Sequence, residues 1–479
     1  MAKPHFRTVA LIIGAAMFME HLDGTVLATA LPSMARDLGV TAPNMSIALT
    51  SYLISLAIFI PASGKIADRF GNRTVFRNAI IAFTLGSILC AQSPNLPFLV
   101  IARFLQGIGG ALMMPVGRLV LLRSVEKRDM VAAMSWVLIP ALVGPIIGPP
   151  FGGFIVTYLD WRWIFYINVP IGILGVVLVS KYIEETRGDP PKKFDLVGMA
   201  LSALSLGALL FSFELSSHAG EWKLALSLFA TGIIAGAVYL RHAARVEDPI
   251  LDPALMQVPS FGLSVVAGAI MRITQGAQPF LLPLMFQLGF GYSAVQSGLM
   301  TLSTAGGSFA MKALAPRILR RYGYRDSMIV GGIISTLGYT VCAFFRPEWP
   351  VAAIFGALVF ASFAMSFQFT AYNTIAYDNI TPERLSSATS FYTTFQQLML
   401  SVGVCAGAAA LQAGMLIHGH DAPAISDFSV AFFVVTAVSL TSIFVNRRFA
   451  PDAGVEFSGH TPRTWSVRQA LKDPRGLQP

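Results

Sequence analysis

Charge is scarce in this chain: Asp, Glu, Lys and Arg make up only 12% of its 479 residues, about half the share of an ordinary soluble domain. A chain this long with so few charges cannot cover itself with a solvated surface, which excludes a water-soluble globular protein and points to lipid. Cysteine is nearly absent too. Cys90, Cys342 and Cys405 show neither a pairing pattern nor a metal-ligand spacing, which argues against a disulfide framework and leaves them as small packing residues. No extended soluble domain is present, and no nucleophile, metal cluster or catalytic dyad falls at membrane depth. The chain is therefore expected to be no enzyme and to use no metal and no cofactor.

What is abundant is apolar surface, at 54% hydrophobic residues. It is arranged as fourteen runs of roughly 20 residues, from 8–32 to 427–446, each long enough to cross a bilayer as a helix at about 1.5 Å per residue. The first run is too long for a signal-peptide core and carries two acids, so it is expected to remain in the mature protein. The net charge of +9 suggests nucleic acid at first sight. Its placement argues otherwise: with both termini in the cytoplasm, 28 of the 34 Lys and Arg fall inside, Arg36, Arg162, Lys223 and Arg346 fall outside, and Arg103 and Arg272 lie within runs. The expected partners are a lipid bilayer, protons and a small molecule, with no nucleic acid and a monomeric chain.

Polar stretches at 182–195 and 241–260 divide the runs into six, two and six. The expected units are a first bundle over 1–186, two extra helices within 187–250, a second bundle over 251–450, and a basic cytoplasmic tail over 451–479. "DRFGNR" at 68–73 returns as "RRYGYR" at 320–325, an offset of 252 residues that also lays the first run on the ninth and Glu20 on Arg272.

Ionisable groups inside apolar runs are costly and need partners. Glu20 and Asp23 in the first run share a helix face and are expected to point into a cavity, while His21 sits on another face and reads as a bland polar residue. Counting residues from the outer ends puts Asp23 and Arg103 at similar depth, so an Asp23–Arg103 contact is expected. Burial and a neighbouring Arg move a carboxyl's proton affinity in opposite directions, so a site that alternates between paired and unpaired can carry a proton. Asp23 is assigned as principal carrier coupled to Arg103, and Glu20 as a further proton or substrate group. In the ninth run, Arg272, Gln275 and Gln278 recur every three residues near Gly276, Pro279 and Pro283, which can open the helix. With Gln368, Tyr372 and Asn373 in the twelfth run and Gln396 and Gln397 in the thirteenth, they are candidate substrate contacts.

Four stretches carry a family resemblance. "GKIADRFGNRTVFR" at 64–77 places Gly64, Asp68, Arg69, Gly71 and Arg73 in a basic turn, and resembles motif A of the major facilitator superfamily, with Asn72 where a basic residue is usual. Arg103, Gln106 and Gly107 resemble its motif B. Gly144, Gly148, Pro149, Gly152 and Gly153 in "GPIIGPPFGG" resemble motif C, which marks the antiporter branch; small residues at spacings of four also let helix backbones pack closely. "LDGTVLATALP" at 22–32 and "WRWIFYINVPIG" at 161–172 resemble the fourteen-helix drug:proton antiporter branch, and "PVGRL" at 115–119 brings the chain near its multidrug exporters. The resemblance implies an all-α integral membrane protein with the major facilitator fold: two six-helix bundles plus two additional transmembrane helices. It also implies proton-driven export across a bacterial inner membrane. Lipophilic cations are the expected cargo and an anionic metabolite such as an organic acid is the alternative, with a channel, an importer or a membrane-embedded enzyme less favoured.

Overall fold

The computed structural model describes residues 6–125, 130–186, 194–216, 222–381, 384–458 and 460, so the connection at 187–193 and the expected basic tail from 461 onward lie outside the described residues. Every regular element among the described residues is helical. In chain order the long helices are α1 (Phe6–Asp37), α2 (Ser46–Phe70), α3 (Asn72–Ala91), α4 (Leu96–Ser124), α5 (Met130–Tyr158), α6 (Asn168–Tyr182), α7 (Leu196–Ser216) and α8 (Trp222–Ala243). They continue as α9 (Pro259–Leu284), α10 (Ala294–Tyr322), α11 (Tyr324–Thr340), α12 (Val351–Ile375), α13 (Leu385–His418) and α14 (Ile425–Leu440). Among the described residues, eleven helical segments are long and apolar enough to cross a membrane, and α5, α9 and α10, with 29, 26 and 29 residues, are as long and pack among them.

The outer faces confirm the medium. Ile101 is 62% exposed and Ile234 64%, and Leu85, Ile173, Leu337 and Phe360 are more than half exposed on the same kind of surface. A contiguous apolar exterior of this extent is stable only against lipid. The chain is a multi-pass membrane protein.

The 252-residue offset is visible in the backbone. Gly71, between α2 and α3, has φ +93°, and Gly323, 252 residues later between α10 and α11, has φ +75°. Both turns need a left-handed residue that joins two helices without a loop, and glycine alone adopts it without strain. The packing repeats as well: α1 lies on α5 as α9 lies on α13, α2 on α4 as α10 on α12, and α3 on α4 as α11 on α12. The two sets meet along two related seams, α5 with α10 and α2 with α13, and α7 lies over the second seam, touching both α2 and α13 with α8 outside it.

Two expectations about local structure need correcting. Pro279 and Pro283 do not interrupt α9, which runs unbroken to Leu284 before a π-helical turn over Met285–Gly289. The neighbouring helices hold the backbone in place where the proline rings remove donors. Gly64, expected in the basic turn at 64–77, lies inside α2, which runs to Phe70, and a side chain there would meet open space; only Gly71, between α2 and α3, is required by conformation.

Candidate functional site

The first ionisable cluster is sealed inside the α1–α6 half. Arg103 on α4 donates from Nη1 to Asp23 Oδ2 at 2.6 Å and to Gln106 Oε1 at 2.7 Å, and from Nε to the Ala48 carbonyl at 3.1 Å. Asp23 Oδ1 accepts from Gln106 Nε2 at 2.8 Å and Asn168 Nδ2 at 3.0 Å, and both amides also donate to Ser87 Oγ. The Tyr52 ring lies 4.4 Å from the Arg103 guanidinium. Asp23 and Arg103 are 4% and 1% exposed. Five helices thus converge on one buried ion pair: α1, α3, α4 and α6 through side-chain hydrogen bonds and α2 through Ala48 and Tyr52. Asn168 lies in the stretch 161–172 quoted for the family resemblance, but nothing in the sequence marked it or Ser87 as a partner of the acid, because short polar residues in apolar runs are too common to stand out.

A cavity of about 740 Å³ lies between the two helix sets, and the cluster does not line it. Met17, His21, Thr25, Ala28 and Thr29 follow each other at helical spacing along α1 and face the cavity, while Glu20 and Asp23 fall on the flank turned away from it. The expectation that both acids point into a cavity is therefore corrected by their helical phase, and His21, read as bland, is on the lining. Glu20 Oε2 is buried without a hydrogen-bond partner, 3.8 Å from His21 Nδ1. The lining carries Arg118 from α4 and Lys312 from α10, each exposed; among the described residues neither has an ion pair, and the lining includes no Asp or Glu.

Of the other candidate contacts, Gln275 and Gln278 line this cavity; Arg272, Gln368, Tyr372, Asn373 and Gln396 do not. Gln368 donates to the Met328 carbonyl at 2.6 Å, Tyr372 to Asn446 Oδ1 at 2.8 Å, Asn373 to the Phe369 carbonyl at 2.7 Å and Gln396 to Asn373 Oδ1 at 2.6 Å. These side chains meet the backbone or other side chains of the helices, the ordinary means of satisfying polar groups in an apolar bundle. Arg272 is 2% exposed, under the Phe369 and Tyr392 rings at 5.5 and 5.2 Å, with Nε and Nη2 lacking hydrogen-bond partners.

A sequence profile described as the Major Facilitator Superfamily matches residues 13–404 and again 264–475. The chain belongs to the Major Facilitator Superfamily. Among its relatives, a protein of Citrobacter koseri named multidrug resistance protein MdtD is 37% identical over 420 residues, covering 86% of this chain and 87% of the relative. Its namesake in Escherichia coli O6:H1 is 36% identical over 402 residues, covering 82% and 83%. Two solved structures share the fold at low identity. A D-xylose-proton symporter aligns with a TM-score of 0.68 at 15% identity over 94% of this chain and 99% of its own. The nucleoside transporter NupG aligns at 0.66 and 14% identity over 93% and 100%. The chain is a transporter rather than an enzyme.

In this superfamily member the seams fix the shape of the cavity. Away from the arginine-rich loops, Gln287 donates to the Thr29 carbonyl at 3.0 Å and Gln412 to Asn44 at 3.4 Å. There a side chain on Gly153 would overlap the Ala294 carbonyl, and one on Gly298 the Pro149 carbonyl. Gly144, Gly148 and Gly152 seat α5 against Phe18, Thr25 and Thr29 of α1, so their spacing serves backbone packing. At the arginine-rich end, Asp68 pairs with Arg123 at 2.8 Å, Lys65 reaches Asp248 beyond α8 at 2.9 Å, and Glu185 accepts from the backbone N–H groups of Arg73 and Thr74 at 3.1 and 3.2 Å. Asn72, the departure from the motif, donates to Thr186 Oγ1 at 3.1 Å.

Besides Asp23, the structure buries Asp195, Glu214 and Asp427, none of them among the candidates drawn from the sequence. Glu214 on α7 is fully buried and accepts from Ser46 and Thr50 of α2 at 2.6 and 3.3 Å and from Cys405 of α13 at 3.1 Å. As the lone acid in its apolar run it was visible in the sequence, and its contacts with both sides of a seam were not.

Proposed function

We propose that this protein is a proton-coupled exporter that moves drug-sized amphipathic molecules out of the cytoplasm by alternating access, crossing a bacterial inner membrane fourteen times with both termini inside. The carrying observation is the cavity between the two helix sets. It is large enough for a drug-sized molecule, it is closed at the end away from the arginine-rich loops, and among the described residues it presents Arg118 and Lys312 with no carboxylate on its lining. Those charges favour acidic or neutral amphiphiles over lipophilic cations, the cargo first expected, because Glu20 and Asp23 face elsewhere. The multidrug-resistance name of the relatives supports cargo of this size.

Proton coupling in this reading belongs to the Asp23 cluster. It needs only that the proton bind the two arrangements of the lobes unequally, and a shift of α1 against α4 within the first helix set as the lobes move would alter Asp23's pairing. The test is transport in proteoliposomes with an imposed pH gradient, using one panel of lipophilic carboxylates and one of lipophilic cations. Gradient-driven carboxylate movement that is lost in Arg118→Gln and Lys312→Gln supports the anionic cargo. Cation movement indifferent to both variants would restore the cation reading, and transport without proton counter-movement would end the antiport proposal.

A further inference from the structure

At the end of the bundle away from the arginine-rich loops, "HGHDAPAISD" at 418–427 joins α13 to α14. Gly419 closes α13 with φ +70°, a left-handed residue that turns the chain back on itself. That reversal sets the His418 and His420 rings 5.5 Å apart between centroids on one side of the turn. Both present Nδ1 to a single carboxylate: His418 Nδ1 lies 2.7 Å from Asp427 Oδ1 and His420 Nδ1 2.9 Å from Asp427 Oδ2. One ligand atom from each residue lies within 4.8 Å of the other two.

Asp427 is fixed before any ion arrives. It is fully buried, its Oδ2 accepts the Ala424 backbone N–H at 2.8 Å at the start of α14, and a side chain on Gly414 of α13 would press on its backbone at 3.0 Å. A ligating carboxylate oriented by a backbone donor is the kind of outer support that raises metal affinity. The two imidazoles, in contrast, are open: their side chains are 35% and 36% exposed. His420 and the adjacent Asp421 border a vestibule of about 1130 Å³ that also includes Arg36, Asn44, Gln287 and Gln412.

We propose that His418, His420 and Asp427 form a binding site for a divalent transition ion of the zinc class. Two imidazole nitrogens and one carboxylate oxygen are a donor set zinc takes, and tetrahedral ligands at ~2.1 Å from the metal stand about 3.4 Å apart, so the imidazole-to-carboxylate spacings of 2.7 and 2.9 Å widen by about half an ångström to admit the ion. The ion displaces the hydrogen-bond geometry between the rings and the carboxylate, and the fourth position is left to water from the vestibule. The exposed rings suit capture from solution, while the buried acid holds the ion to the protein. A bound ion staples the end of α13 to the start of α14 beside the mouth of the vestibule. Calcium and magnesium are disfavoured, because both prefer all-oxygen shells.

The test uses full-length protein purified on a tag without histidine and stripped with a chelator, titrated calorimetrically with zinc. One zinc per chain is expected, with binding weakened in the His418→Ala/His420→Ala double variant by no less than the ~10–100-fold that loss of an outer-shell partner costs a metal site. Asp427→Asn also disturbs the start of α14, so the histidine pair carries the test, with an unchanged metal-free unfolding temperature showing that it folds. Cobalt in place of zinc should give the intense visible absorption of a four-coordinate site in the wild type and lose it in the double variant. Absence of zinc binding by the wild type, equal affinity in the double variant, or a preference for calcium overturns the proposal.

Discussion

Replacing Asp23 by asparagine tests the Asp23 cluster most directly, because the amide has nearly the same shape and removes only charge and one acceptor. In the native cluster Oδ2 accepts from Arg103 while Oδ1 accepts from two amide nitrogens, those of Gln106 and Asn168. An asparagine facing its oxygen to Arg103 turns its NH2 toward those donors. Gln106 cannot flip to receive it, since its own Oε1 is held by Arg103 at 2.7 Å; Asn168 can, because its Oδ1 is buried and unpartnered. Hydrogen bonding is therefore largely recoverable, and the main loss is electrostatic: Arg103 keeps the Ala48 carbonyl, Gln106 and the Tyr52 ring but has no counter-charge. Breaking a buried pair at one end costs ~3–5 kcal/mol. The expected outcome is a folded but destabilised protein, read as a lower unfolding temperature in detergent, with pH-driven transport abolished. The double variant Asp23→Asn/Arg103→Gln should regain much of the stability, a coupling of about 1–3 kcal/mol in the double-mutant cycle, while transport stays lost. If the double variant recovers gradient-driven transport along with stability, the pair is only structural and the assignment of Asp23 as proton carrier is refuted.

The remaining predictions concern positions that the fold constrains. Gly71→Ala forces a side chain into a left-handed backbone and onto the Glu185 carboxylate; it should cost ~1–2 kcal/mol from backbone alone and slow transport, whereas Gly64→Ala, inside α2 and facing open space, should raise stability by about 0.5–1 kcal/mol and leave the transport rate unchanged. Gly148→Val drives into Thr25 across the α1–α5 contact and should lower stability by about 1–3 kcal/mol, seen as a reduced yield of monodisperse protein and an earlier thermal transition. Glu214→Gln keeps the volume but puts an NH2 near the Ser46 and Thr50 hydroxyls and the Cys405 thiol; faster amide hydrogen exchange in α7 is expected, corresponding to ~1–3 kcal/mol, and unchanged protection would mean that α7 docks through its apolar face alone.

The medium, the helical class and the repeat were all legible in the linear sequence, since each rests on a quantity that runs along the chain: the length of apolar runs, the placement of Lys and Arg, and a fixed offset between like turns. The Asp23–Arg103 contact was legible for a related reason. A charge in hydrocarbon needs a partner, depth is counted in residues, and few partners exist. Direction around a helix was not legible in the same way. Whether Glu20 or His21 meets the cavity depends on which neighbour covers each flank of α1, a matter of how α1 packs against its neighbours rather than of its composition. The same limit hid the roles of Gln368 and Tyr372, which turn toward Met328 and Asn446 instead of a substrate, and it hid Arg118 and Lys312, which counted only among the many Lys and Arg on the inner side. Groups brought together by packing across long separations, such as Glu214 with Ser46 and Cys405, carry no local signal at all. Hydrophobic periodicity decides that a segment is buried in lipid or protein; only the assembled bundle decides what each polar side chain faces, because that is set by contacts the chain makes with distant parts of itself.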